Sequence, residues 1–208
     1  MSERSERLAV RKTYKLYIAG AFPRSESGRS YPVTDAKGRF VANAAQASRK
    51  DVRDAVAAAR TAFGGWAGRT AYNRAQILYR IAEILEGRRD QFTAEVRHTG
   101  TSKPQAAAQV DAAIDRWVWY AGWADKIGAV AGAANPVAGP YFNFSSPEPA
   151  GVVAVIAPDS PLLGLVSVLA PAIVTGNTTV VVASQPAPLA AITLAEVLAT
   201  SDLPAGVV

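Results

Sequence analysis

Two short runs of apolar and β-branched residues limit what this chain can fold into more than any other feature. Val152-Val153-Ala154-Val155-Ile156 and Thr178-Thr179-Val180-Val181-Val182 carry no charge and are bounded by Gly151, Pro158 and Asn177, as buried strands are. A helix-length apolar segment separates them, from Pro161, a favoured first helical residue, to Gly176-Asn177. A second such segment spans residues 188–200, and Gly206-Val207-Val208 opens what reads as a third strand. Strand–helix–strand–helix–strand demands parallel pairing through right-handed crossovers. Unbroken apolar runs further predict strands covered on both faces. The pattern is the first part of a doubly wound, Rossmann-like parallel sheet, over residues 151–208, which stops in mid-strand.

Upstream the periodicity changes. Residues 1–13 are polar, mixed in sign and read as a disordered tail, without the apolar segment of a secretory signal. Residues 14–43 look extended, with Gly20, Pro23, Gly28, Pro32 and Gly38 at turn spacing. Ser48 and Asp51 form a capping-box pair that opens a helix, with Val52, Ala55, Val56, Ala59, Ala62 and Phe63 at helical spacing, and Gly64-Gly65 are expected to stop it. Further helices begin near Thr70, run through Phe92 and Val96, and start near Pro104; the last turns Val110, Ile114, Trp117, Ala121, Ala124 and Ile127 inward. Tyr141-Phe142-Asn143-Phe144-Ser145 alternates like a strand with one covered face. The organisation is thus a tail, a strand-and-helix segment over 14–140, a strand segment over 141–150, and the sheet from 151.

Composition removes several kinds of chemistry. There is no cysteine, so disulfides, thiolate metal sites and a thiol nucleophile on these residues are excluded, and one histidine leaves little for a metal centre. That residue, His98, stands at a helix end just before Thr99-Gly100, where a cation is mildly favourable. Ser160 lacks a Gly-x-Ser-x-Gly turn and reads, with Asp159, as a helix cap. Trp117, Trp119, Tyr120 and Trp123 divide between helix faces and are expected to pack against the sheet. Residues 1–126 hold all 22 basic residues against 13 acidic ones, a net of +9, whereas residues 127–208 hold four acids and no base. The bases alternate with acids, as on solvated helices, which speaks against a nucleic-acid surface. The charge-poor remainder either packs on the first part or meets other chains. The apolar stretch 161–176 is too short to span a bilayer and contains Pro171, which favours a cytoplasmic protein without membrane contact.

Pieces distributed over residues 14–208 resemble the aldehyde dehydrogenase superfamily. They are KLYIAGAF at 15–22, AARTAFGGW ending at Trp66, RAQILYRIAEIL at 74–85, YAGWADKI at 120–127, EPAGVVAVIAP at 148–158, LAPAIVTGNTTVV at 169–181 and LPAGVV at 203–208. The resemblance implies an α/β aldehyde-dehydrogenase-like fold: N-terminal helices, an oligomerisation-arm strand near 141–150, and the opening of an NAD(P)-binding domain. It also implies that cofactor contacts, where retained, involve Ile156, Pro158, Ser184 and Gln185.

The chain departs from the family at those positions. Where the family reads Pro-Trp-Asn-Phe-Pro, with an Asn that holds the substrate oxyanion, this chain reads Pro158-Asp159-Ser160-Pro161. A carboxylate has the wrong sign for that task. Where the family reads Lys-Pro-Ser-Glu, this chain reads Val182-Ala183-Ser184-Gln185, so that only Gln185 keeps a hydrogen-bonding contact with a ribose. The closest resemblance is to the non-catalytic second module of tandem (family sixteen) aldehyde dehydrogenases. The expectation is a pseudoenzyme with weakened or lost NAD(P) binding and no metal. It would associate, as a homo- or hetero-oligomer, with a complete aldehyde dehydrogenase subunit or with the remainder of its own polypeptide. The alternatives are the N-terminal portion of an active enzyme, whose Cys and Glu lie downstream, and a cofactor-sensing regulatory subunit.

Overall fold

The computed structural model describes residues 12–208. Most of the expected tail lies outside the described residues, but its end does not. Thr13–Tyr14 is strand β1, parallel to β3 (Phe40–Ala45), which also pairs antiparallel with β2 (Ser30–Thr34). Tyr14 is buried with Val33, Ala42, Ala44 and Leu189 in a small cluster of its own.

Four helices follow. α1 (Arg49–Ala67) begins as expected: Ser48 Oγ accepts from Asp51 N–H at 3.3 Å, and the Asp51 carboxylate accepts from Ser48 N–H at 2.7 Å. It does not stop at Gly64-Gly65. Trp66, in its last turn, is fully buried and its indole N–H donates to the Ile173 carbonyl at 2.9 Å, so a tertiary anchor carries the helix through two poor helix formers. α2 (Ala71–Gly87) is capped by Thr70, α3 (Arg89–Arg97) ends at His98, and α4 (Lys103–Ala121) has Pro104 in its first turn. The 3.6-residue stripes of these helices meet in one core that includes Leu78, Leu85, Phe92, Val110 and Trp117. α4 packs chiefly on α2, α3 and α6, so Trp117 is buried among helices rather than against the sheet, and Trp119 is exposed.

A short helix α5 (Ile127–Ala131) leads into a two-residue hairpin, β4 (Ala133–Ala134) with β5 (Phe144–Ser145). The expected strand over 141–145 is therefore confined to its last two residues. Neither face of it is covered: Phe142 is 83% and Phe144 63% exposed, and Asn143 and Ser145 on the other face are exposed as well.

β6 (Val152–Ile156) and β7 (Thr178–Val182) occupy the two apolar runs and pair in parallel, Val152 with Thr178 through Ile156 with Val182. α6 (Leu163–Val174) joins them and α7 (Leu189–Ala199) follows. α1 and α6 both pack on the pair. The hydroxyl of buried Thr178 donates to the Ala59 carbonyl of α1 at 2.9 Å. Coverage is incomplete, contrary to the expectation for such runs. Ala154, Ile156 and Val182 are exposed, because α1 reaches only the early half of the face they share. The third strand is present only as an approach to β7, with Thr179 N–H donating to the Val207 carbonyl at 2.7 Å. Gly206 makes that approach feasible, for a Cβ there would stand 2.8 Å from the Ala58 carbonyl oxygen. Glu196 of α7 ties distant parts together, meeting Lys12 and Arg88, each at 2.6 Å.

Candidate functional site

In an open parallel sheet, ligands bind beyond the carboxyl ends of the strands; the first strand–helix turn holds phosphate and the end of the second strand holds ribose. Here those places are the loop between β6 and α6 and the loop between β7 and α7. Ala157 N–H donates to the Val182 carbonyl at 2.9 Å, which keeps the two strand ends side by side.

The structure separates the sequence-predicted residues into different roles. Ile156 is 82% exposed and, with Val182, forms an apolar shelf on the open sheet face. Pro158 is exposed, and its ring lies over the first turn of α6. Ser184 is buried and points across to the other loop, its hydroxyl donating to Asp159 Oδ1 at 2.8 Å. Gln185 is exposed and, with Asp159 and Pro161, lines a cleft of about 560 Å³ that also borders Tyr31, Glu95 and His98.

Asp159 does not cap the helix. The N-cap of α6 is Leu162, without a side-chain hydrogen bond and at the left-handed φ of 52°. The first strand–helix turn has no glycine fingerprint to bring backbone N–H groups to a phosphate.

Glu95 is the site residue that sequence reasoning missed. Its Oε1 accepts from Thr193 Oγ1 at 2.7 Å and from the Tyr14 hydroxyl at 3.3 Å, while Oε2 is buried without a hydrogen-bond partner. Burial pushes its carboxyl above the ordinary range. Burial, followed by the nearby Glu95 charge, pushes the Tyr14 phenol up to about 12. The available signal was an acid three residues after Phe92 and beside Val96, on the apolar face of α3.

The crevice residues match only part of a dinucleotide. Ile156 and Val182 offer a flat apolar surface, and the Gln185 amide can hydrogen-bond a hydroxyl. Asp159 brings a negative charge to the turn after the first strand, which also lacks the glycines that would bring backbone N–H groups to a phosphate. Among the described residues no group of three or more His, Asp or Glu side chains converges as a metal site would, and no helix is long and apolar enough to cross a membrane.

A parallel β–α–β sheet opening beside a helical layer and an exposed hairpin defines the class, a chain built around a doubly wound cofactor-binding sheet. The aldehyde dehydrogenase family's sequence model matches residues 22–208. Retinal dehydrogenase 2 of Mus musculus is 36% identical over 206 residues, covering 95% of this chain and 39% of its own length. HpcC from Thermus thermophilus superimposes with a TM-score of 0.90 at 32% identity, covering 94% of this chain and 38% of its own. An aldehyde dehydrogenase from Bacillus cereus, solved as its NAD+ complex, superimposes with a TM-score of 0.89 at 28% identity, over 94% of this chain and 40% of its own. The chain belongs to the aldehyde dehydrogenase family. It spans about two-fifths of the length of these relatives.

Proposed function

We propose that this chain is a non-catalytic member of an NAD(P)-dependent aldehyde dehydrogenase assembly, with weakened cofactor binding of its own. The observation that carries this reading is the Asp159 carboxylate, held between the two strand-end loops by Ser184. A fixed negative charge there opposes both a pyrophosphate and a developing oxyanion. The Pro158-Asp159 turn and Val182 in place of a lysine favour a relation to the second module of tandem aldehyde dehydrogenases. The partner in this reading is a complete, cysteine-bearing subunit or a further part of the same polypeptide, met through the exposed Phe142–Phe144 hairpin, in the cytoplasm.

The test is recovery of the native complex from its own cells, with its mass, its chains identified and its NAD+ uptake measured by calorimetry. A cysteine-bearing dehydrogenase at fixed stoichiometry, with nucleotide taken up only by that partner, supports the proposal. Aldehyde oxidation by this chain alone would overturn it. A second reading, the N-terminal portion of an active dehydrogenase, is favoured by the match to two-fifths of its relatives. It requires the chain to be found inside a longer polypeptide that carries the nucleophilic cysteine. A cofactor-sensing subunit would instead take up nucleotide without turnover.

A further inference from the structure

Doubly wound sheets read the ribose with an acid that accepts its 2′-hydroxyl, or accommodate a 2′-phosphate with an arginine. The end of β7 carries neither. Val182 closes the strand and Gln185 follows with a neutral amide. The fold brings a carboxylate there from elsewhere. Ser184, buried next to Gln185, reaches across to the β6–α6 loop and donates to Asp159 Oδ1 at 2.8 Å. Oδ2 of the same carboxylate has no hydrogen-bond partner among the described residues. Asp159 and Gln185 are both exposed and line the same cleft of about 560 Å³. The charges around that cleft agree. No lysine or arginine lines it, and His98 is its one basic residue. Of its three acids, Asp35 is held by Arg39 at 2.6 Å and Glu95 is buried against Tyr14 and Thr193. Asp159 meets no cation among the described residues.

The geometry points to Asp159 as the specificity-determining residue of this crevice, which accepts a ribose 2′-hydroxyl, refuses a 2′-phosphate and so takes NAD+ in preference to NADP+. Ser184 is its positioning residue. The inference rests on the reading of the crevice as a weakened nucleotide site, and adds which nucleotide the weakness spares. A 2′-hydroxyl can donate to Oδ2 while the Gln185 amide donates to the neighbouring hydroxyl oxygen. A 2′-phosphate instead brings roughly two negative charges to a carboxylate, with no lysine or arginine lining the cleft to offset them.

The test is uptake of NAD+ and of NADP+ by calorimetry on the native assembly, carried to millimolar nucleotide. Substitutions are made in this chain only, so that changes from the parent belong to it, and circular dichroism confirms that each variant folds. The parent is expected to take NAD+ at this chain about tenfold more tightly than NADP+, or better. Asp159→Asn keeps an oxygen for Ser184 to donate to and removes the charge, so the two nucleotides should come within about threefold, mainly through tighter NADP+. Ser184→Ala keeps the charge but unties it and should also lower the preference, a ratio that a merely structural role would leave unchanged. An unchanged preference in Asp159→Asn, or no uptake at this chain, overturns the inference and leaves the weakened-site reading standing. Uptake by the unsubstituted chain as tight as that of a complete dehydrogenase subunit overturns that reading and the inference with it.

Discussion

At Glu95 several influences compete. Burial favours the protonated acid, the hydroxyls of Thr193 and Tyr14 and the nearby Lys12 favour the carboxylate, and Glu196 opposes it. Burial wins, so the folded-state pKa lies above the unfolded one. The folded protein therefore holds this proton more tightly, and the linked stability is present below the ordinary carboxyl range and lost as pH rises through the raised value. Glu95→Gln should accordingly flatten this dependence. Relative to the variant, the parent is expected to be more stable at pH 4 than at pH 7, as read from urea midpoints at both values. A parent that gains on the variant as pH rises would mean that the donors outweigh burial. Asp51 shows the opposite balance. Burial works against its charge, but hydrogen bonds from Ser48 N–H, Ser25 Oγ and Glu26 N–H prevail and bring it down to about 2. Ser48–Asp51 was legible because a capping box is a local, four-residue device. The Ser25 and Glu26 bonds to the same carboxylate were not, since they come from a loop more than twenty residues away.

Among the elements, α1 and α6 are joined through one indole. Trp66 fills the core and donates to the Ile173 carbonyl near the end of α6. Trp66→Ala should cost about 3–5 kcal/mol from lost packing. Trp66→Phe keeps most of the volume and loses the indole hydrogen bond, but the Ile173 carbonyl still accepts from Gly176 N–H at 3.0 Å, so the cost should be about 0.5–1.5 kcal/mol. Thermal unfolding of both variants checks the pair, and equal losses would mean that the indole hydrogen bond, not packing, carries the anchor. Element by element, legibility followed the range of the forces. β6 and β7 appear at the residues their β-branched runs mark, and the Thr70 start of α2 follows its cap. Gly64-Gly65 misled because propensity is weak beside the burial of the next residue. Asp159 misled for a related reason: Asp-Ser-Pro before an apolar run looks like a cap, and only the folded chain brings Ser184, twenty-five residues on, to the carboxylate. The family resemblance pointed to these two loops, but it could not show that their side chains face each other.

Across the molecule, exposed apolar side chains among the described residues include Tyr141, Phe142 and Phe144 about the β4–β5 hairpin and Ile156 and Val182 on the open face, besides Tyr72, Tyr79, Trp119 and Val130 on or near the helices. Phe142 and Phe144 lie with ring centroids 5.5 Å apart and make no contribution to the main core. In the proposed assembly this pair is the contact with the partner chain. Phe144→Asp should leave thermal stability within about 0.5 kcal/mol of the parent, as expected for a surface change. It should lower the assembly mass measured by sedimentation; unchanged mass would remove the hairpin from the interface. The charge distribution agrees with this division, because the basic helices carry their own acids while the sheet half carries almost no charge to keep it apart from a neighbour.

The ion pairs of Glu196 have a consequence for the order in which the chain can be completed. Lys12 stands near the start of the sequence and its carboxylate partner lies on α7, with Tyr14 likewise waiting for Glu95 and, through it, Thr193. A ribosome releases Lys12 and Tyr14 long before α7 emerges. During synthesis the opening segment therefore has β3 and then Glu95 to meet, but the Glu196 ion pair and the Thr193 bond to Glu95 form only once α7 has been made.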